Sequence, residues 1–250
     1  MDIIGIVLFG LVIVATHFLE GITGFGCTVL ALPFCIAVAG VKTAVPVLTF
    51  MGWLLALYIV IIDWKSIVFK EYLKILVFVV IGLPIGMWLF NTLPEAPLKI
   101  ALGVFMVIVS VRGLIASYIS KENIVAKQDS KIIKWLLNVC LVSGGVIHGA
   151  FSSGGPFIVI YATRALPSKS NFRSTLCALW VTLNSVIIIK NFATGIMTSE
   201  VLRLIAWMIP FLVLAMVVGN IAHKKIKGHV FIKVVFLVLL VSGIFMFFSF

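Results

Sequence analysis

Apolar residues fall in long runs separated by short polar breaks. The runs cover roughly 3–19, 24–40, 44–62, 72–91, 97–118, 132–150, 155–167, 171–192, 200–222 and 230–249. Most approach the ~20 residues that one helix needs to cross a bilayer core of ~30 Å. Some, such as Ile75 to Ile81 and Val234 to Val241, have no polar position at all. That pattern fits helices wetted by lipid, which need no polar face. Nowhere do apolar and polar residues alternate with the period of two that a membrane β-barrel requires. The pattern therefore predicts an all-α polytopic membrane protein.

Composition agrees. The 250 residues are 63% hydrophobic and 11% charged, and the mean hydropathy is +1.29. Soluble domains average about 45–50% apolar and about 25% charged. A soluble enzyme, a disordered chain and a disulfide-stapled secreted domain are all excluded on that ground. The first twenty residues lack a basic leader and a small-residue cleavage site, so they read as a retained helix.

The net charge of +11 belongs to the loops and does not point to nucleic acid. Lys65, Lys70, Lys74, Arg112, Lys121, Lys127, Lys131, Lys134, Arg164, Lys169, Arg173, Lys224, Lys225, Lys227 and Lys233 fall on one side of the predicted topology. Only Lys42, Lys99, Lys190 and Arg203 fall on the other. The richer side is cytoplasmic by the positive-inside rule. The expected localisation is the inner (cytoplasmic) membrane, multi-pass, with both termini outside the cytoplasm. Cys27, Cys35, Cys140 and Cys177 lie in apolar runs at no metal-ligand spacing and read as small buried hydrophobes. The six tryptophans fall mostly toward run ends, as interfacial anchors do. Trp180 and Trp53 read nearly as well as lipid-facing or packing residues.

The polar stretch Ser120 to Lys131 divides the chain into a first repeat (1–118), a linker (119–131) and a second repeat (132–250). The halves echo each other. The first contains Thr16-His17-Phe18-Leu19-Glu20-Gly21-Ile22-Thr23-Gly24-Phe25-Gly26, then Ala31-Leu32-Pro33. The second contains Ile147-His148-Gly149-Ala150-Phe151-Ser152-Ser153-Gly154-Gly155-Pro156, then Ala165-Leu166-Pro167. Each half carries about five hydrophobic segments, an odd number, so the second enters the membrane from the opposite face. The expected fold is thus two inverted-topology repeats, as in many secondary transporters. Each repeat is expected to hold a helical hairpin broken at its Gly cluster. Loop charge does not distinguish a hairpin that spans twice from one that re-enters. The short 155–167 run favours re-entry in the second half.

The Gly clusters are the candidate chemistry. Broken backbone at membrane depth must be buried in protein or line a wet cavity. A helix restarting there presents free N–H groups and a positive dipole end, which suit an anion. The candidate substrate-binding residues are Thr23, Gly24, Phe25 and Gly26 from the first half. From the second come Ser152, Ser153, Gly154, Gly155, Thr175 and Asn184. Pro156 fits the first turn of the new helix. Thr49 and Thr182 are further polar positions near the motifs. Glu20, His17 and His148 are the candidates for proton coupling, because ionisable groups at bilayer depth are functional by default. His223 and His229 fall in a basic loop with no specific role expected. Arg164 and Arg173 read either as attractors at a cytoplasmic mouth or as part of the positive-inside bias. No metal or cofactor is expected, and no catalytic constellation is present.

Gly21-Ile22-Thr23-Gly24-Phe25-Gly26, Ser153-Gly154-Gly155-Pro156 and Leu166-Pro167 to Arg173-Ser174-Thr175 resemble the sulfite exporter TauE/SafE family. The resemblance covers 3–249 and both halves. It implies transmembrane passage of sulfite, organosulfonates or related small oxyanions, and hence a small anionic partner within a lipid bilayer. The chain departs from a plain Gly-rich pattern where Thr23 and Phe25 interrupt the first cluster. It departs again at Ala44-Val45-Pro46, where the second half offers Phe172-Arg173-Ser174-Thr175. The residues leave open an uptake permease for a carboxylate or other anion, an anion channel, and the oligomeric state, a homodimer included.

Overall fold

The structure is a computed structural model that describes residues 3–92, 94–119, 131–166 and 168–225, together with 236, 237, 240, 241, 243 and 244. The helices are α1 (Ile3–Thr23), α2 (Cys27–Ala39), α3 (Val41–Asp63), α4 (Phe69–Thr92), α5 (Glu95–Ile119), α6 (Lys131–Phe151), α7 (Gly155–Ala165), α8 (Lys169–Ala193) and α9 (Ser199–Lys225), with a short 3-10 turn at Trp64–Ser66. Most of the linker, Pro167, and most of the expected last segment, His229 included, lie outside the described residues.

Among the described residues, six helices are long and apolar enough to cross a membrane: Ile3–Thr23, Val41–Ser66, Phe69–Thr92, Lys131–Phe151, Lys169–Ala193 and Ser199–Lys225. Helices α2 and α7 are shorter, with 13 and 11 residues. At a rise of ~1.5 Å per residue they reach about 20 and about 16 Å, less than a bilayer core. Apolar side chains cover the outside as well as the inside. Val77, Ile81 and Ile85 of α4, and Val213, Leu214 and Val217 of α9, are exposed, as lipid contact requires. Phe9, Leu48, Met51, Leu55 and Ile75 are fully buried between helices.

Three pairings build the bundle: α4 with α6, α1 with α9, and α3 with α8. Glycine sets the first two. Without a hydrophobic drive between helices in lipid, close backbone approach supplies the attraction. Gly82 and Gly86 of α4 face Gly145 and Gly149 of α6, and a methyl on any of the four would overlap a backbone atom across the interface. On α1, a methyl at Gly21 would come 3.1 Å from the Cα of Gly219 on α9. In both pairs residue numbers rise together, so the helices are parallel. The α3–α8 pair is antiparallel: Trp53 bonds Ser185 at 2.9 Å, and Ser174 bonds Asp63 at 2.8 Å. Gly149, part of the second sequence motif, thus serves packing.

Helices end and restart at both Gly clusters. Helix α1 runs through Gly21 and Ile22 to Thr23, and the next helix starts at Cys27, not at Gly24. Gly24 and Gly26 take φ of +82° and +105°. Few other residues accept such values at low cost. The second break, 152–154, holds Ser152 at φ +53°, the single described non-glycine residue with positive φ.

A Gly86→Val substitution should test the α4–α6 contact. Overpacking of this kind costs about 1–3 kcal/mol or more, so a clearly lowered melting temperature in detergent is expected. Gly155→Ala is the contrast, since its methyl meets nothing nearer than 3.5 Å, and it should melt close to wild type.

Candidate functional site

A helix that stops inside the bundle leaves its last carbonyls without intrahelical donors. At the end of α1 the partners come from the following turn and from α8 and α9. The Glu20 carbonyl accepts from the Gly24 amide at 2.6 Å. The Gly21 carbonyl accepts from Arg173 Nη1 at 2.9 Å, and the Ile22 carbonyl faces His223 Nδ1 at 2.6 Å. The Gly24 carbonyl accepts from Trp180 Nε1 at 2.7 Å. Arg173 is 2% exposed. It also reaches Asn220 Oδ1 at 3.4 Å and Asp63 Oδ2 at 3.9 Å. A cation at a helix C-terminus complements the dipole, so Arg173 is a buried cap on α1 and not an exposed attractor at a mouth. His223, expected to have no specific role, does the same work. The Lys169 ammonium in turn donates to the His223 carbonyl. Gly24 must be glycine on a second count, because a methyl there would lie 2.7 Å from the Arg173 Cα.

The start of α2 is occupied as well. The amide of Cys27, its first residue, donates to Glu20 Oε2 at 2.8 Å. Glu20 is 4% exposed. One residue therefore closes α1 with its carbonyl and opens α2 with its carboxylate. Thr23 Oγ donates to Leu19 O at 2.7 Å and lies 2.9 Å from Phe25 O, bracing the turn.

The second break is held more loosely. The Ser152 amide returns to His148 O at 2.7 Å, and its hydroxyl shares a 2.7 Å hydrogen bond with Thr49 of α3. Ser153 Oγ donates to Phe151 O at 2.9 Å. Gly154 packs on α6, where a methyl would touch His148 Cβ at 2.8 Å. Helix α7 starts at Gly155 with Pro156 in its first turn. Its first amides have no intrahelical acceptor.

The two breaks meet. A cavity of about 20 Å³ is lined by Glu20, Gly26, Cys27, Thr28, Val29 and Gly52 from the first half. His148, Ser152, Ser153, Gly155, Trp180 and Asn184 line it from the second. It admits one water and no polyatomic anion. Its wall offers hydroxyls, an amide, an imidazole and the opening turns of α2 and α7, with no Lys or Arg among the described lining. His148 Nε2 lies 2.9 Å from Asn184 Oδ1. Its Nδ1 has no partner, and the residue is 2% exposed. The His148 and Trp180 rings stack at 5.2 Å with 17° between planes. Trp180 thereby touches both breaks, holding the Gly24 carbonyl with its indole N–H and the His148 ring with its face.

Of the residues expected to bind substrate, Gly26, Ser152, Ser153, Gly155 and Asn184 line this cavity. So do Glu20 and His148 among those expected to carry protons. Thr23, Gly24, Phe25 and Gly154 brace the breaks behind it. Thr175 lies elsewhere, its hydroxyl accepting from the Val68 amide at 3.0 Å beside the α3–α4 turn. Thr182 bonds Tyr72 at 2.7 Å, also away from the cavity. His17 is fully buried one turn before Glu20, with Nδ1 3.0 Å from Ile13 O, and it does not line the cavity. Sequence reasoning missed Cys27, Thr28, Val29, Gly52 and Trp180. The first two were open to discovery, because they form the first turn after Gly26. Among the described residues no group of three or more His, Cys, Asp or Glu could hold a metal ion.

The family model of the sulfite exporter TauE/SafE family matches residues 8–246. The chain belongs to this family. No curated protein and no solved structure matches it. The TauE/SafE match takes in both breaks and every helix that lines the cavity, and it makes the chain a member of a membrane transporter family of the sulfite and sulfonate type.

Trp180→Phe keeps a ring against His148 and removes the donor to the Gly24 carbonyl. A buried carbonyl left without its partner costs about 1–3 kcal/mol. A lower melting temperature is expected, with a folded, monodisperse protein by size exclusion.

Proposed function

We propose that this protein is a secondary transporter that moves a small oxyanion of the sulfite or organosulfonate class across the cytoplasmic membrane by alternating access. The observation that carries the reading is the meeting of two helix interruptions, 24–26 and 152–154, at one cavity lined by polar side chains and the opening turns of α2 and α7. The opening turns of two helices point positive dipole ends at that space. An oxyanion is what such a wall suits. The wall needs no lysine or arginine, which would be costly at this depth.

Alternating access is supported by how the helices pair. Helix α1 packs in parallel on α9, and α4 packs in parallel on α6. If 1–118 and 132–250 are inverted repeats, these are the same contact made twice, related by a two-fold axis in the membrane plane. The antiparallel α3–α8 pair then lies across that axis. Rocking one repeat against the other would open the cavity to each side in turn. At about 20 Å³ the cavity is too small for the oxyanion in this conformation. The α1 cap with Arg173, Trp180 and His223 seals the cytoplasmic side in this reading, and the Thr49–Ser152 hydrogen bond seals the outer side. Both termini then lie outside the cytoplasm.

The test is ligand-dependent stabilisation of the purified protein, followed by flux into liposomes. Sulfite or ethanesulfonate at about a hundredfold excess over Kd should stabilise the protein by about 2.7 kcal/mol. Ser153→Leu, which fills the cavity, should remove that shift while the protein stays folded. A shift with acetate and none with either sulfur oxyanion would replace the substrate class by carboxylates. Single-channel conductance in planar bilayers would replace the carrier by a channel.

A further inference from the structure

Glu20 is a carboxylate inside the site proposed for an anion, and nothing cationic is paired with it among the described residues. Its donor is the Cys27 amide at 2.8 Å, at the first residue of α2. The place where a transported anion would meet that helix is already taken by an anion of the protein's own. The same carboxyl lines the central cavity opposite Ser153 and Gly155. Two negative charges in so small a space repel strongly, because little water screens them.

We propose that Glu20 is a resident anion that holds the start of α2 and yields it to the transported anion by taking up a proton, so that one proton accompanies each anion bound. This rests on the oxyanion site proposed above. The exchange is balanced: the carboxylate gains a proton from solvent, becomes a neutral acid, and releases its claim on the helix end. The neutral acid carries one O–H donor, which turns from rival into ligand for an entering oxyanion. His148 completes the arrangement. Its Nδ1 is unpartnered in a side chain 2% exposed that lines the same cavity, a second polar group free to meet the guest.

The titratable and charged groups around Glu20 leave it as the natural proton acceptor. On α1, His17 lies one turn earlier and outside the cavity wall. On α2 the neighbour is the Cys27 thiol. On α6 it is His148, and on α8 Cys177 lies within electrostatic reach. Arg173 of α8 is turned toward the Gly21 carbonyl, Asn220 and Asp63. On α9, His223 is held at the Ile22 carbonyl, and α3 contributes only Gly52 to the wall.

The experiment is calorimetric titration of the purified full chain with ethanesulfonate, a monoanion from about pH 5 to about pH 8, unlike sulfite, which itself titrates. Buffers of different ionisation enthalpy report protons taken up on binding. Wild type should take up about one proton per anion where the free carboxyl is ionised. Its affinity should fall by up to tenfold per pH unit above the carboxyl's titration. Glu20→Gln should bind with no uptake and with affinity independent of pH. Wild-type binding without proton uptake overturns the proposal, and so does undiminished uptake in Glu20→Gln. Should Glu20→Gln fail to fold, His148→Gln decides: uptake retained there supports Glu20, and uptake lost overturns it. Absence of anion binding by wild type across the whole range would instead overturn the site on which the proposal rests.

Discussion

A backbone broken inside a membrane protein must find partners for every amide and carbonyl it frees, since lipid supplies none. That constraint organises this structure. The break after α1 frees carbonyls on one side and amides on the other. The carbonyls are taken by Arg173, His223 and Trp180, all from the second half of the chain. The first amide of α2 is taken by Glu20 from the helix just ended. The break before α7 is left more open. Ser152 and Ser153 spend their hydroxyls on Thr49 and on the Phe151 carbonyl, while the opening turn of α7 faces the cavity. The first break is closed by the protein itself, and the second has donors to offer.

Glycine does two different jobs here, and the distinction matters for reading any such chain. Gly82, Gly86, Gly145 and Gly149 sit in unbroken helices and let two backbones touch. Gly24 and Gly26 sit between helices at positive φ, and there glycine answers a torsional demand. Gly24 meets both demands at once, being left-handed and pressed against the Arg173 backbone. The packing glycines bind α4 to α6, which fixes where the 152–154 break lies relative to the first half. Architecture and site are therefore coupled through the same residue type.

Much of this was legible in the sequence. The helices follow the apolar runs within a few residues, because a lipid-facing helix advertises itself by length and composition alone. The breaks were legible because several small or polar residues in a row are rare inside such runs. What sequence could not supply was who caps whom. Arg173 and His223 looked like ordinary cytoplasmic charge, since their partners are carbonyls some 150 and 200 positions away and any residue has a carbonyl. Trp180 looked like packing for the same reason. Thr175 was drawn into the site by its place in a motif, yet its hydroxyl holds the Val68 amide. A motif marks a neighbourhood, and side-chain direction decides membership. His17 and His148 align in the two halves, but only His148 reaches the cavity. The asymmetry enters because α1 runs six residues past His17, to Thr23, while α6 stops three residues past His148, at Phe151.

In the proposed reading the absence of a fixed cation at the site has a consequence for how a carrier works. A buried arginine facing an oxyanion in a dry pocket makes a bidentate, charge-assisted contact, and removing either partner leaves an unpaired charge in low dielectric. A site of that kind must break an ion pair to release its guest. Amides, hydroxyls and helix ends attract an anion through partial charges, so the attraction depends on several groups staying aligned. The donors at this cavity come from α2, α6, α7 and α8, which belong to both halves. Relative movement of the halves would dismantle the set together, and the guest would leave without any ion pair having to be broken. Arg173, a strong cation nearby, is committed to the end of α1, where it stabilises the break without gripping what passes beside it.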